Sequence, residues 1–211
     1  MGLVSLVIRP PAIDFDKTEV LMLKAALRGC VFAVCLGGLV IAAPAQQVVH
    51  ALTGTVSSID NLSKTLIVFQ DNGSQGQFKD RTSEKAHLEF DKKIALEATP
   101  ADDFKKKGAY VIVFYYGDND DRTAVALKNL GAGPFTSAEG TLVKLDGKGH
   151  SISVKDSSGA VQTFKITDQT VAEGYMGVVE GARFPAQKGD QVRIVASTES
   201  GTPTALFMRE K

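Results

Sequence analysis

Tryptophan is missing from this chain, histidine occurs three times and cysteine twice. Each scarcity removes a class of chemistry. Both cysteines, Cys30 and Cys35, lie in the apolar run GCVFAVCLGGLVIAAPAQQ near the amino terminus. A chain without that run holds no disulfide and relies on core packing alone. The histidines, His50, His87 and His150, recur at no common spacing, whereas a zinc site needs about four such ligands. They read as surface histidines. Net charge is also missing: the formal balance is +0, and beyond residue 45 there are 20 basic and 21 acidic residues. That balance provides no basic field for nucleic-acid phosphates, so nucleic acid is not an expected partner. No Ser, His and Asp set, phosphate-binding glycine loop or dinucleotide fingerprint can be read, and no cofactor is expected.

What is present begins with an export pattern. Lys24 and Arg28 precede the apolar stretch 29–42, and Ala43-Pro44-Ala45 follows as a small-x-small site before Gln46. A positive start, a short apolar middle and a small-residue exit make a secretory signal peptide. The stretch is shorter than the roughly 20 residues that cross a bilayer. Cleavage after Ala45 is therefore expected, with no stable membrane span afterwards; an uncleaved amino-terminal anchor is the plainer alternative. Neither cysteine follows the apolar stretch, as a lipidated one would. Residues 1–21 precede a signal peptide that begins naturally at Met22, which is the expected true start. Position 6 is Leu6, where myristoylation calls for Ser or Thr.

The rest of the chain is duplicated. A shift of 86 places Gly54 on Gly140, Val56 on Leu142, Asp60 on Asp146, Val68 on Val154 and Phe78 on Phe164. A shift of 81 places Gly108 on Gly189, Val111 on Val192 and Thr123 on Thr204. Two blocks with constant offsets describe one unit copied once, whose middle segment later changed length. The expected domains are 53–130 and 138–211, joined by the Gly- and Pro-containing connector 131–137.

Each copy reads as five short strands. Ile152 and Val154 alternate with Ser151, Ser153 and Lys155, and Val192, Ile194 and Ala196 with Gln191, Arg193 and Ser197; a period of two buries one face. The crossovers, 82–107 and 168–188, lie between the third and fourth strands. In the first, Thr82 or Ser83 could cap a short helix through EKAHLEFDKKIAL. The fold class is mainly β: two tandem five-stranded small barrels of OB-like order, each with a short helix or irregular crossover between strands three and four.

The stretches GTLVKLDGKGHSISVKDSSGAVQTFKITDQT, KGDQVRIVAS and GTPTALFMREK resemble the DUF5666 family of bacterial exported proteins. Copy two carries the resemblance through Gly140, Leu145, Asp146, Thr170, Gly189, Asp190 and Val192. Copy one departs from it at Ala109, where an Asp is expected. The resemblance implies a small β-barrel in the cell envelope and transfers no catalytic residue.

Two carboxylate features invite chemistry and have simpler readings. GDNDDR, residues 117–122, lacks the Gly and Glu of a calcium loop, since Thr123 and Asn129 stand at its sixth and twelfth positions. It reads as a turn. Asp60 and Asp146 are equivalent and end the first strand of each copy, where an Asp starts a turn; the rival reading makes them duplicated acid/base groups.

The sharpest contrast lies between the copies. Gln191, Arg193, Val195 and Ser197, read as facing water, correspond to Tyr110, Ile112, Phe114 and Tyr116. Ser153 and Lys155 correspond to Ile67 and Phe69. Copy one therefore carries an apolar, aromatic face that something should cover. The cover is either internal, from the longer crossover with Leu88, Phe90, Ile94 and Leu96 or from the second domain, or external. An external cover would be an envelope protein, a second copy of this chain or a polysaccharide. On the external reading, Ile67, Phe69, Tyr110, Ile112, Phe114 and Tyr116 form the binding face of a non-enzymatic envelope module. The alternative is a carbohydrate-processing or metal-dependent envelope enzyme using acidic residues.

Overall fold

The computed structural model describes residues 48–80, 97–198 and 201–211. The expected signal peptide, the segment before it, His87 and the expected helix through 84–96 lie outside those residues. The described residues all fall in one compact unit.

The first copy supplies β1 (His50–Asp60), β2 (Thr65–Gln70), β3 (Gln75–Asp80), β4 (Thr99–Pro100), β5 (Tyr110–Tyr116) and β6 (Thr123–Asn129). They form a sheet in the order β3-β2-β1-β5-β6-β4, and β3 also pairs with β6. The second copy supplies β7 (Phe135–Asp146), β8 (Ser151–Lys155), β9 (Val161–Lys165), β10 (Val171–Gly174), β11 (Gly177–Glu180), β12 (Gln191–Ser197) and β13 (Thr204–Glu210). Their order is β11-β10-β13-β12-β7-β8-β9, and β9 also pairs with β13. The chain is mainly β, as its period-two pattern predicts.

The duplication holds at the level of single hydrogen bonds. Gly108 N donates to Val56 O at 2.8 Å, and Gly189 N to Leu142 O at 2.9 Å. Asp80 N donates to Lys64 O and Ile166 N to His150 O, both at 2.7 Å. The register of β1 on β2 shifts between Val56 and Ser58, and that of β7 on β8 between Leu142 and Lys144. A second equivalent pair of bulges falls at Phe114/Tyr115 and Val195/Ala196. The parallel contacts match too, Lys79 with Thr123 and Lys165 with Thr204.

Local chemistry sets the turns. Asp60 Oδ1 accepts from Leu62 N at 2.9 Å and Ser63 N at 3.3 Å, while Asp146 Oδ1 accepts from Gly149 N at 2.6 Å. Both are Asx-type turns, as expected. The GDNDDR segment is also a turn, with a single 3-10 turn over Asn119–Asp121, and Asp121 pairs with Lys79.

Two expectations change. The crossover of the second copy is built around a hairpin, β10–β11, with β10 running parallel to β13, and a single 3-10 turn over Gly181–Arg183 follows it. Its β-branched residues Val171, Val178 and Val179 favour strands, and Gly177 closes the tip at φ +98°, a conformation open to glycine. β7 also starts within residues 131–137, at Phe135. Phe135, Thr136 and Ser137 pair with Ser197, Ala196 and Val195 of β12.

Three apolar clusters follow. Leu52, Val56, Leu66, Val68, Phe78, Val111, Val113 and Leu127 fill the first copy. Leu142, Ile152, Val154, Phe164, Ile166, Val192, Ile194 and Met208 fill the second. Between the sheets, Ala51, Ile112, Phe114 and Ala126 of copy one pack with Val171, Val195 and Phe207 of copy two.

Candidate functional site

That third cluster decides what the apolar face of copy one is. Ile112 and Phe114 are both 0% exposed, packed inside the molecule against the second copy. Val195, read from sequence as facing water, is buried beside them. The six expected binding residues do not form one open face. Tyr110 and Tyr116 are half-buried, as is Ile67, and only Phe69 is exposed. The reason is the outward alternation itself: odd and even residues of β5 serve two cores, and the second is shared between the copies.

Polar groups border this shared core. Tyr110 Oη donates to Asp71 Oδ2 at 2.7 Å, and Arg193 Nη2 pairs with the same oxygen at 2.8 Å. Burial, then the bond to Asp71, holds the Tyr110 phenol well above its usual range. Lys128 Nζ donates to Gln169 O at 3.0 Å and pairs with Glu97 at 3.0 Å. These charges have partners and their work is structural.

One polar group is different. Glu173, on β10, is 4% exposed. Its register places it beside Arg209 of β13, and the start of β1 brings His50 to its other side. His50 Nδ1 lies 3.0 Å from Glu173 Oε1. Glu173 Oε2 has no hydrogen-bond donor, although Arg209 Nε lies 3.7 Å away, close enough for ion pairing alone. Burial raises the Glu173 carboxyl above its ordinary value, opposed by Arg209, His50 and the Ala51 amide. Burial also raises the phenol of Tyr115, with the Glu173 charge adding to it; the His50 and Tyr115 rings lie 5.8 Å apart.

Glu173 borders an open cavity of about 320 Å³, together with His50, Tyr175, Arg209, Glu210 and Lys211. Tyr175 and Met176, at the tip of the β10–β11 hairpin, are 79% and 70% exposed. A buried carboxylate oxygen without a donor costs about 1–3 kcal/mol or more. The oxygen itself is turned away from solvent, while the cavity and the exposed Tyr175 beside it are open to a ligand.

Sequence reasoning placed His50 among surface histidines and did not single out Glu173. The available signal was a lone charge inside TVAEGYMGVV, residues 170–179. His150 sits in an exposed turn at φ +52°, as read. Among the described residues, no three His, Cys, Asp or Glu side chains gather as metal ligands, and no helix is long and apolar enough to cross a membrane. Compared with known proteins, the chain matches no family model and no curated sequence.

Proposed function

We propose that the protein is an exported, non-enzymatic binding module of the bacterial cell envelope, periplasmic or secreted after cleavage behind Ala45. The observation that carries the reading is the open cavity of about 320 Å³ lined by His50, Glu173, Tyr175 and Arg209, beside the exposed Tyr175 and Met176 of the hairpin tip. The amino-terminal export pattern and the DUF5666 resemblance support the location. The apolar face of copy one no longer carries the proposal, since its central residues are buried against copy two.

The test is export and retention of protein expressed from the full-length chain. Its first residue should be Gln46 by mass spectrometry, and it should cosediment with isolated cell envelope. Tyr175→Ala, a change at an exposed hairpin tip, should release it. Protein confined to the cytoplasm, or envelope that retains both forms alike, would contradict the proposal.

The second reading, a carbohydrate-processing or metal-dependent envelope enzyme, draws on one feature: a carboxyl raised by burial beside a histidine, an arrangement suited to acid catalysis. Turnover in a hydrolase screen that Glu173→Gln abolishes would replace binding by catalysis.

A further inference from the structure

We propose that the tip of the β10–β11 hairpin, together with Val48, rests on a lipid bilayer as a peripheral contact, an assignment that depends on the binding-module reading and names its partner.

Exposure marks the surface. Six large hydrophobic side chains are exposed among the described residues, and three of them, Val48, Tyr175 and Met176, meet at this tip. Leu62, Phe69 and Val161 lie apart from it, in the β1–β2 turn, on β2 and on β9. Backbone geometry holds the three together. Val178 N donates to Val49 O at 3.0 Å, and a Cβ on Gly177 would stand 2.8 Å from Val48 Cγ1. The segment entering β1 therefore lies against the turn that carries Tyr175 and Met176. Both tip side chains stand largely in solvent. An amphipathic aromatic and a flexible thioether placed so are suited to the boundary between headgroups and acyl chains.

Position in the chain selects the bilayer among envelope components. Residues 43–47 are all that separate the apolar stretch 29–42 from Val48, and that length of chain reaches roughly 20 Å at full extension. On the export reading the stretch enters the membrane. Until cleavage, Val48 and the hairpin tip beside it are tethered to lipid at that range, whereas a polysaccharide or an envelope protein has no such reason to meet this end of the protein. Arg209 and Lys211 border the cavity beside Tyr175, with side chains 45% and 49% exposed, and their stems can lie along the surface with the charges at phosphate depth. Glu210 stands between them in sequence and lines the same cavity, so apolar contact rather than net charge supplies the attraction.

The chain contains no tryptophan, so a single one can report on the contact. Full-length chains carrying Met176→Trp, or Phe69→Trp as a control on β2 opposite Thr55, are expressed, and the exported proteins are mixed with vesicles of phosphatidylethanolamine and phosphatidylglycerol, with or without bromine on the acyl chains. Emission from position 176 should shift to the blue and be quenched by the brominated lipid, and emission from position 69 should do neither. In vesicle flotation, the double change Tyr175→Ala with Met176→Ser, at exposed positions that leave the fold alone, should lower the affinity about tenfold or more. Salt at about 0.5 M, which screens charge, should leave wild-type binding in place. No blue shift at 176, equal quenching at both positions, release by salt, equal flotation of wild type and double variant, or binding only to purified polysaccharide or lipid-extracted envelope would overturn the assignment. Envelope that retains the protein while vesicles do not bind it would sink the lipid surface and leave the binding module standing; vesicle binding by a protein that is not exported would do the reverse.

Discussion

At the scale of the residue, Glu173 makes stability depend on pH in the direction opposite to Asp60, Asp146 and Asp156. Its native carboxyl is raised by burial above the ordinary 4.5. Above that pH the unfolded chain has released the proton while the native chain keeps it, so the native state binds more protons and stability falls as pH rises. The contribution is complete below 4.5 and is lost as pH passes the raised native value. Asp60, Asp146 and Asp156 carry the reverse sign: hydrogen bonds from Ser63, Gly149 and Ser158 lead the causes that hold them low. What they contribute is present at neutral pH and disappears in acid. Glu173→Gln removes only the first effect. From its ordinary value toward neutrality, the wild-type melting temperature should fall relative to that of Glu173→Gln; parallel profiles would show that burial does not govern this carboxyl. The pairing behind this behaviour spans 123 residues, from His50 to Glu173, and no local pattern announces a contact of that length. The Asp turns were legible because donor and acceptor lie within three residues of each other.

At the scale of the element, the duplicated glycines explain why both copies open on Gly-Thr. A Cβ on Gly140 would stand 2.1 Å from Lys155 O, and one on Gly54 would stand 2.5 Å from Phe69 O. Both obstacles are backbone of the paired strand, held by its own ladder, and cannot rotate away. Gly140→Ala should therefore destabilise by about 1–3 kcal/mol, the usual cost of overpacking, and Gly54→Ala by a similar amount. Thermal melts of the two variants check this, and an unchanged midpoint in either would mean that the strands separate at no cost. The five shared strands of each copy were legible because the two copies keep their offsets through them; the bulges were not read from the sequence. The β10–β11 hairpin was not legible either, because the offset between the copies changes from 86 to 81 across the crossover and leaves nothing there to align. Its short apolar runs, Val171-Ala172 and Val178-Val179, are too brief for periodicity to separate strand from loop.

At the scale of the whole molecule, the question is whether two copies with separate cores fold separately. The sequence marked the face that needed cover, and left open whether the cover came from inside or outside the chain, because an apolar strand face looks the same against either. The structure places it inside: Phe114 of copy one packs in a cluster with Val195 and Phe207 of copy two. Arg193–Asp71, Lys128–Gln169 and His50–Glu173 tie the margins across the same boundary. A copy alone would expose Ile112 and Phe114, a patch of the kind that drives association. Both copies should then unfold in a single transition, with calorimetric and van't Hoff enthalpies equal. Phe114→Ser should lower that whole transition by about 3–5 kcal/mol, the cost of truncating a buried Phe. Phe69→Ser, at a half-exposed site, should stay near the roughly 0.5 kcal/mol of a surface change. Two resolved transitions, of which Phe114→Ser shifts only one, would mean that the shared cluster couples the copies too weakly to make them one folding unit. Equal effects of the two substitutions would mean that the face is open after all, and the search for an external partner would return to β5.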